Sequence, residues 1–112
     1  MKNISIINII GTSNAIIQAF GINVYNEILP YVNKNEDITI DFTGISNITS
    51  GFCNASIGKL YLDFPNYSPA RIKIIGLTDN HIAIEKIQSA IDLATKPELS
   101  ALNNKIISDL FN

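Results

Sequence analysis

The stretch that decides the fold runs from a strand into a helix and reads, over residues 41–61, DFTGISNITSGFCNASIGKLY. Residues 38–42 alternate apolar and polar side chains, which predicts a β-strand. Ser50 follows a turn rich in hydroxyl groups and is predicted to start the helix. The buried side of that helix is predicted to be Cys53, Ile57, Leu60 and Phe64, at helical spacing.

The residues before this stretch favour a strand, a short ambiguous segment and a helix. Isoleucines on both faces of residues 3–10 predict a strand covered on both sides. Residues 15–18 are either a second strand, forming a hairpin with the first, or part of a helix from Ser13 through Val32. Gly21 counts against that helix, because glycine costs about 1 kcal/mol relative to alanine. Residues 22–32 have helical spacing, and Pro30 is predicted to kink or end the helix.

The residues after this stretch predict a loop, a strand and two helices. Residues 65–69 are expected to form the loop, and residues 71–75 a third strand closed by Gly76. Thr78 is predicted to cap a helix, with Asp79 in its first turn. The buried face of this helix is expected to be Ile84, Ile87, Ile91 and Ala94. A capping box over residues 95–98 opens a last helix, about 97–111, with Leu99, Leu102, Ile106 and Leu110 on one side.

The alternation of strands and helices predicts an α/β fold with a small, mixed but mainly parallel sheet packed by helices. The 112 residues are expected to form a single domain, 1–112, because this length is usual for one domain. The last helix is either peripheral, packed on this domain, or a surface for a partner or a homodimer.

Composition excludes several classes of protein. The chain is 46% hydrophobic and 16% charged, which supplies a core and excludes disorder. Its apolar runs are too short to span a membrane. A net charge of −2 with scattered basic residues argues against nucleic-acid binding. The first residues lack the apolar core of a signal peptide, so we expect a cytoplasmic protein.

The start of the helix at Ser50 is the candidate binding site. Free backbone N–H groups and a partial positive charge at a helix start favour an anion. Thr49, Ser50 and Gly51 offer two hydroxyl groups and a bare backbone there. Ser50 is also a good N-cap, and a capping serine can still be a switch. Asn54, one turn later, either contacts a partner or anion or bonds to nearby backbone.

Three motifs resemble those of the STAS-like family, which is related to the bacterial anti-sigma factor antagonist (STAS) domain. They are the Asp-Phe-x-Gly-Ile strand end from Asp41, the Ile-Thr-Ser-x-Phe turn from Ile48, and the Asn-Ala-x-Ile-Gly-Lys-Leu-Tyr helix from Asn54. The opening Ile-Ile-Gly-x-x-x-Ala-Ile from Ile9 fits as well. The resemblance covers about residues 4–94, and it favours a strand at residues 15–18.

The resemblance implies a regulatory, protein-binding function for a family whose own function is unassigned. In the classical antagonists the turn reads Asp-Ser-Ser-Gly, and its serine is phosphorylated by a partner that is both kinase and anti-sigma factor. Here the turn reads Thr49-Ser50-Gly51-Phe52, so the phosphoacceptor position falls on Ser50. The expected partner is a kinase/anti-sigma-type ATPase, and the partner-binding candidates are Thr49, Ser50, Gly51, Phe52 and Asn54.

Two other function classes are weighed against this interpretation. The first is a sensor that binds a small anion or nucleotide at the same helix start. The second is an enzyme, which would need a nucleophile, a base and an orienting group. Cys53 and His81 would be a thiol and a base, but Cys53 lies on the apolar stripe, where a buried cysteine is expected. One cysteine and one histidine are also too few for a zinc site, so we expect neither catalysis, metal nor cofactor.

Overall fold

Three parallel strands form the central sheet of the protein, whose computed structural model describes residues 2–96. They are β1 (Lys2–Ser5), β3 (Ile38–Asp41) and β5 (Ile72–Ile75), in the order β1-β3-β5. Two shorter strands, β2 (Asn14–Ala15) and β4 (Asn47–Ile48), pair in parallel with each other. The predicted mainly parallel sheet is confirmed.

The helices follow the strands in chain order. They are α1 (Ile6–Ile10), α2 (Gln18–Asn33), α3 (Ser50–Cys53), α4 (Lys59–Asp63), α5 (Ser68–Arg71) and α6 (His81–Thr95). A π-helical segment, Asn54–Gly58, joins α3 to α4, so residues 50–63 form one continuous helical rod. We call this rod the central helix.

The two faces of the sheet differ in polarity. Ile4, Ile40 and Ile74 lie side by side in the register and point into the core that the helices share. Their neighbours in sequence form the opposite row: Asn3, Thr39 and Lys73. The prediction of an apolar strand covered on both sides is therefore wrong, because the second face of β1 is polar.

The first strand is shorter than the sequence pattern predicted. Residues 3–10 were expected to form one strand, but β1 ends at Ser5 and α1 follows it. The register explains this difference, because Ser5 pairs with Asp41, the last residue of β3. Beyond that point the backbone has no strand to bond, and a helical turn satisfies its N–H groups instead. Gly11 ends the turn at φ +71°.

Residues 15–18 do not form a hairpin with the first strand. Only Asn14 and Ala15 are extended, and they pair with Asn47 and Ile48 of β4. The alternative prediction, a helix from Ser13, is also wrong at its start, since α2 begins at Gln18. Gly21 nevertheless lies inside α2 and is buried. A Cβ there would stand 2.6 Å from the carbonyl oxygen of Phe52, so this glycine permits a close approach between two helices.

Pro30 was predicted to kink α2 or to end it. It does not end the helix, because α2 continues to Asn33. The helical stripe that sequence spacing indicated is confirmed, with Val24, Ile28 and Val32 all buried. Pro30 is exposed and lies in the last turn, and Asn26, whose carbonyl its missing N–H cannot bond, is exposed as well.

Two boundaries near β5 differ from the prediction. Residues 65–69 were expected to be a loop, but α5 begins at Ser68, whose hydroxyl donates to the carbonyl of Leu60 at 3.0 Å. Pro69 occupies the first turn, where its lack of an N–H costs little. Thr78 does not cap α6. Asn80 does, through a 3.1 Å bond from the N–H of Ala83, and Asp79 precedes the helix at φ +66°.

The face that α6 buries differs in part from the prediction, because Ile91 and Ala94 are only partly buried against the core. Ala83, Ile87 and Ala90 are buried, whereas Ile84 is exposed. Small residues form the contact because Gly58 lies close, and a Cβ there would be 3.4 Å from the carbonyl oxygen of Ala90. The predicted last helix, about 97–111, lies outside the described residues.

The π-helical segment interrupts the central helix at a buried hydroxyl group. Ser56 is fully buried, and its Oγ donates to the carbonyl oxygen of Phe52 at 2.7 Å. This is the same carbonyl that Gly21 approaches. The stripe of Cys53, Ile57 and Leu60 is fully buried, as predicted, and Phe64 is partly buried against the core.

One polar cluster joins α2 to α4 at the protein surface. The Tyr25 hydroxyl donates to Oδ2 of Asp63 at 2.7 Å, and Lys59 lies 3.2 Å from the same carboxylate. The bond from Tyr25 and the nearby Lys59 charge hold the pKa of Asp63 below its usual value of 3.8. Burial and the Asp63 contact raise the pKa of Tyr25 to about 12.

We expect Tyr25→Phe to lower the free energy of unfolding by about 0.5–1.5 kcal/mol at neutral pH, the usual net value of such a hydrogen bond. Because the pKa of Asp63 is lowered by folding, its contribution is complete above about pH 5 and is lost as the pH falls through the lowered pKa. The stability difference between Tyr25→Phe and wild type should therefore shrink in acid. Urea denaturation at several pH values measures it. Tyr31→Phe, on the same helix, is the control, and an equal loss in both variants would contradict the prediction.

Candidate functional site

Thr49 fixes the start of the central helix. Its Oγ1 accepts a 3.2 Å bond from the N–H of Phe52 and donates to the carbonyl of Ile16 at 3.2 Å. Its N–H donates to the carbonyl of Ala15 at 3.1 Å. One side chain thus caps the helix and ties it to the end of β2. The prediction that Ser50 is the N-cap is wrong, because Thr49 occupies that position and Ser50 is the first helical residue.

Two helix starts lie side by side because of these bonds. α2 begins at Gln18, directly after Ile16 and Ile17, and the central helix begins at Ser50. Both isoleucines are about half exposed. The carbonyl that Thr49 bonds belongs to Ile16, so this apolar pair adjoins the first turn of the central helix.

The predicted site residues separate into an exposed and a buried set. Ser50, Gly51 and Asn54 are exposed, and Asn54 lies one turn after Ser50 on the same side of the helix. We call the exposed surface formed by Ile16, Ile17, Ser50, Gly51 and Asn54 the helix-start surface. Thr49 lies at its edge, half-buried and engaged in capping.

Phe52 does not belong to this surface. Its side chain is 0% exposed and forms part of the core, so the prediction that it contacts a partner is wrong. The helical spacing explains this, since Phe52 points inward together with Cys53. A sequence motif that contains Phe52 therefore reports packing at this position.

The thiol of Cys53 is not accessible from the protein surface. Cys53 is fully buried, as its place on the apolar stripe predicted. Burial raises the pKa of this thiol to about 11, so the thiol stays protonated at neutral pH. His81 is exposed at the first residue of α6.

Positive charge reaches the helix-start surface from α6. Nζ of Lys86 donates to the carbonyl oxygen of Ile48 at 3.0 Å, two residues before Ser50. This ammonium group and the two helix starts place positive potential near the first turn of the central helix. Lys86 lies far along the chain from the motif, and no local pattern indicates its role.

Asp41, at the end of β3, stabilises a turn. Its Oδ1 accepts bonds from the N–H and the hydroxyl of Thr43, at 2.9 and 2.6 Å. These two bonds lower the pKa of Asp41, so the carboxylate is ionised at neutral pH. Asp41 therefore caps the turn that follows β3.

Residues 2–96 contain neither a cluster suited to a metal ion nor a helix suited to a membrane. No group of three or more His, Cys, Asp or Glu side chains in that range is placed to hold a metal ion. None of the helices in the same range is long and apolar enough to cross a bilayer.

Besides Lys86, sequence reasoning missed two features at or near the site. Ile16 and Ile17 were expected to lie in a short strand or in a helix, although an apolar pair directly before a helix can also be exposed. The buried hydroxyl of Ser56 was not singled out, and a serine inside an apolar helical run was the signal that could have found it.

Comparison with known proteins identifies the family. No curated protein and no solved structure matches the chain significantly. A family model described as a STAS-like domain of unknown function matches residues 21–81, which include the whole stretch from Asp41 to Tyr61. This match covers more than half of the chain. With its parallel sheet packed by helices and its capped turn at Thr49, the chain belongs to the family of STAS-like domains of unknown function (DUF4325).

Proposed function

We propose that the chain is a non-enzymatic regulatory module that binds a protein partner through the helix-start surface, and that phosphorylation of Ser50 switches this binding. The observation that carries the proposal is that Thr49 and Ser50 have different roles at the start of the helix. Thr49 caps the helix, while Ser50 is exposed one residue later. A kinase can therefore modify Ser50 without removing the cap.

The surroundings of Ser50 suit a switch. The half-exposed Ile16 and Ile17 supply apolar area that a partner can cover. A phosphate adds about −1.5 to −2 charges beside them. The same phosphate is favoured by the partial positive charge of the helix start, so the fold tolerates it while the partner surface changes.

The partner is proposed by analogy with the classical antagonists. In those proteins the serine at the corresponding turn is phosphorylated by an ATPase that is both kinase and anti-sigma factor. We propose a partner of that kind here, acting in the cytoplasm. The support is the family relationship together with the exposed hydroxyl at the matching position.

We expect Ser50→Asp to weaken partner binding by about tenfold, which corresponds to about 1.4 kcal/mol. The test is a tagged pull-down from the native host, with mass spectrometry of the partner and of the phosphosites, followed by titration of the purified partner. Ser89→Asp is the matched control, since Ser89 is an exposed serine on α6. Phosphate on Ser50 and a loss of affinity in Ser50→Asp alone support the proposal.

Two results would contradict it. One is a partner that binds wild type and Ser50→Asp equally. The other is a phosphorylation level in Ser50→Ala equal to that of wild type.

A small anion or nucleotide is the alternative occupant, and Lys86 is the observation that favours it, because its ammonium group lies beside this helix start. A melting temperature that rises with added phosphate or ATP in wild type, and not in Lys86→Met, would indicate a sensor instead of a partner switch.

A further inference from the structure

An open apolar groove of about 590 Å³ lies between α2, the central helix and α6. Each helix contributes one large aliphatic side chain to its wall. These are Ile22, Leu62 and Leu93, which are 47%, 59% and 51% exposed. We call this cleft the three-helix groove. Exposed aliphatic side chains from three separate elements converge there, which marks a binding surface.

Small residues line the rest of the three-helix groove. Ala55, Gly58, Ala90 and Ala94 lie between the larger side chains. The central helix and α6 approach closely at Gly58, where a Cβ would be 3.5 Å from Cβ of Ala90. Small residues flanked by aliphatic ones form a channel that accepts the leucine and isoleucine side chains of a docking helix.

We infer that residues 97–112 of the same chain occupy the three-helix groove. α6 ends at Thr95, directly after Leu93 and Ala94, which line the groove. Proline in a helix interior removes a backbone hydrogen bond, so the sequence at Pro97 disfavours a continuation of α6 past its end at Thr95. The remaining residues carry aliphatic side chains at helical spacing: Leu99, Leu102, Ile106 and Leu110.

Length and tethering favour this segment over a second copy of the chain. A helix over 97–111 would be about 22 Å long, which equals the length of α6. A short link gives the tethered segment an effective concentration in the millimolar range. A second molecule at micromolar concentration has to displace it.

The inference does not depend on the proposed switch. Asn54 belongs both to the helix-start surface and to the three-helix groove, so the segment and a partner would be neighbours. Occupancy of the groove is measured in the isolated chain, without a partner or a kinase. Failure of the Ser50 experiment therefore leaves this inference standing, and the reverse also holds.

The test is NMR of the full chain with labelled methyl groups. We expect nuclear Overhauser contacts from the methyl groups of Ile22 and Leu62 to those of Leu102 and Ile106. The double variant Leu102→Asp/Ile106→Asp should lose these contacts and shift the amide signals of groove residues. The control Asn104→Asp/Ser108→Asp adds the same charge on the opposite side of the segment and should leave those signals in place.

A second variant changes the groove and leaves the sequence of residues 97–112 unaltered. Leu62→Asp alters the groove at an exposed position and should shift the amide signals of residues 97–112. Unchanged signals from Thr39 and Ile40 in the sheet show that each variant is folded. Groove signals that are the same in both double variants overturn the inference. Contacts that appear only as the protein concentration rises also overturn it, because a second copy then fills the groove.

Discussion

Replacing Gly76 with alanine should lower the free energy of unfolding by about 2–5 kcal/mol, which combines backbone strain with overpacking. Gly76 adopts φ +83°, a conformation that L-residues rarely adopt. A Cβ there would stand 2.4 Å from the backbone nitrogen of Thr43 and 2.6 Å from Oδ1 of Asp41. The turn that Asp41 caps has to move, or β5 has to shift.

Gly11→Ala separates these two causes. Gly11 adopts a similar φ of +71°, but a Cβ there meets nothing within 4 Å. Its substitution should cost only the strain, about 1–2 kcal/mol. Chemical denaturation followed by circular dichroism measures both variants. Equal losses would show that contact with the Asp41 turn contributes nothing.

Replacing Gly21 with alanine is the second large effect, an expected loss of about 1–3 kcal/mol from overpacking. Alanine gains about 1 kcal/mol of helix propensity over glycine, which offsets part of a larger clash. A Cβ at Gly21 would lie 2.6 Å from the carbonyl oxygen of Phe52 and 2.9 Å from Cβ of Ala55. Either α2 then moves away from the central helix, or the Phe52 carbonyl shifts and its bond from Ser56 weakens.

Gly51→Ala is the matched control for this helix position. Gly51 lies in the first turn of the central helix, where a Cβ meets no atom closer than 4.0 Å. The same substitution there should be neutral or stabilising by up to about 1 kcal/mol. Gly21→Ala should therefore be less stable than Gly51→Ala, and a gain in stability for Gly21→Ala would contradict the close approach.

Local patterns predicted the elements that repeat a clear period. The alternation over residues 38–42 and the stripe from Cys53 to Leu60 both correspond to observed elements. The ends of elements were less predictable, because a partner in space decides them. β1 ends where β3 ends, and this depends on a register between residues that are far apart in the sequence.

Capping residues show the same limit. Several hydroxyl and amide side chains stand near each helix start, and any of them is a good N-cap. Thr49 rather than Ser50 caps the central helix because its hydroxyl also bonds the carbonyl of Ile16 from β2. Asn80 rather than Thr78 caps α6. The spacing of residues within one helix could not indicate which capping side chain also bonds to another strand or helix.

The sequence indicated which candidate residues share the start of the central helix, but not which side chains from other elements surround them. Ser50, Gly51 and Asn54 are exposed together, as a helix start after a strand suggested. Lys86, Ile16 and Ile17 join them only through tertiary contacts. Phe52 is not part of the helix-start surface, because it lies on the buried face of the central helix.

The exclusively parallel pairing among the described strands determines how the chain folds. Each paired strand meets its neighbour only across an intervening helical region, and Asn14 and Asn47 are 33 positions apart. None of these pairs can therefore form early from a local hairpin. The chain must first lose the conformational entropy of closing a long loop before two strands can pair. We expect α2 and the central helix to come together in the folding transition state before the strands align. Relative to helical bundles of the same size, refolding should be slow.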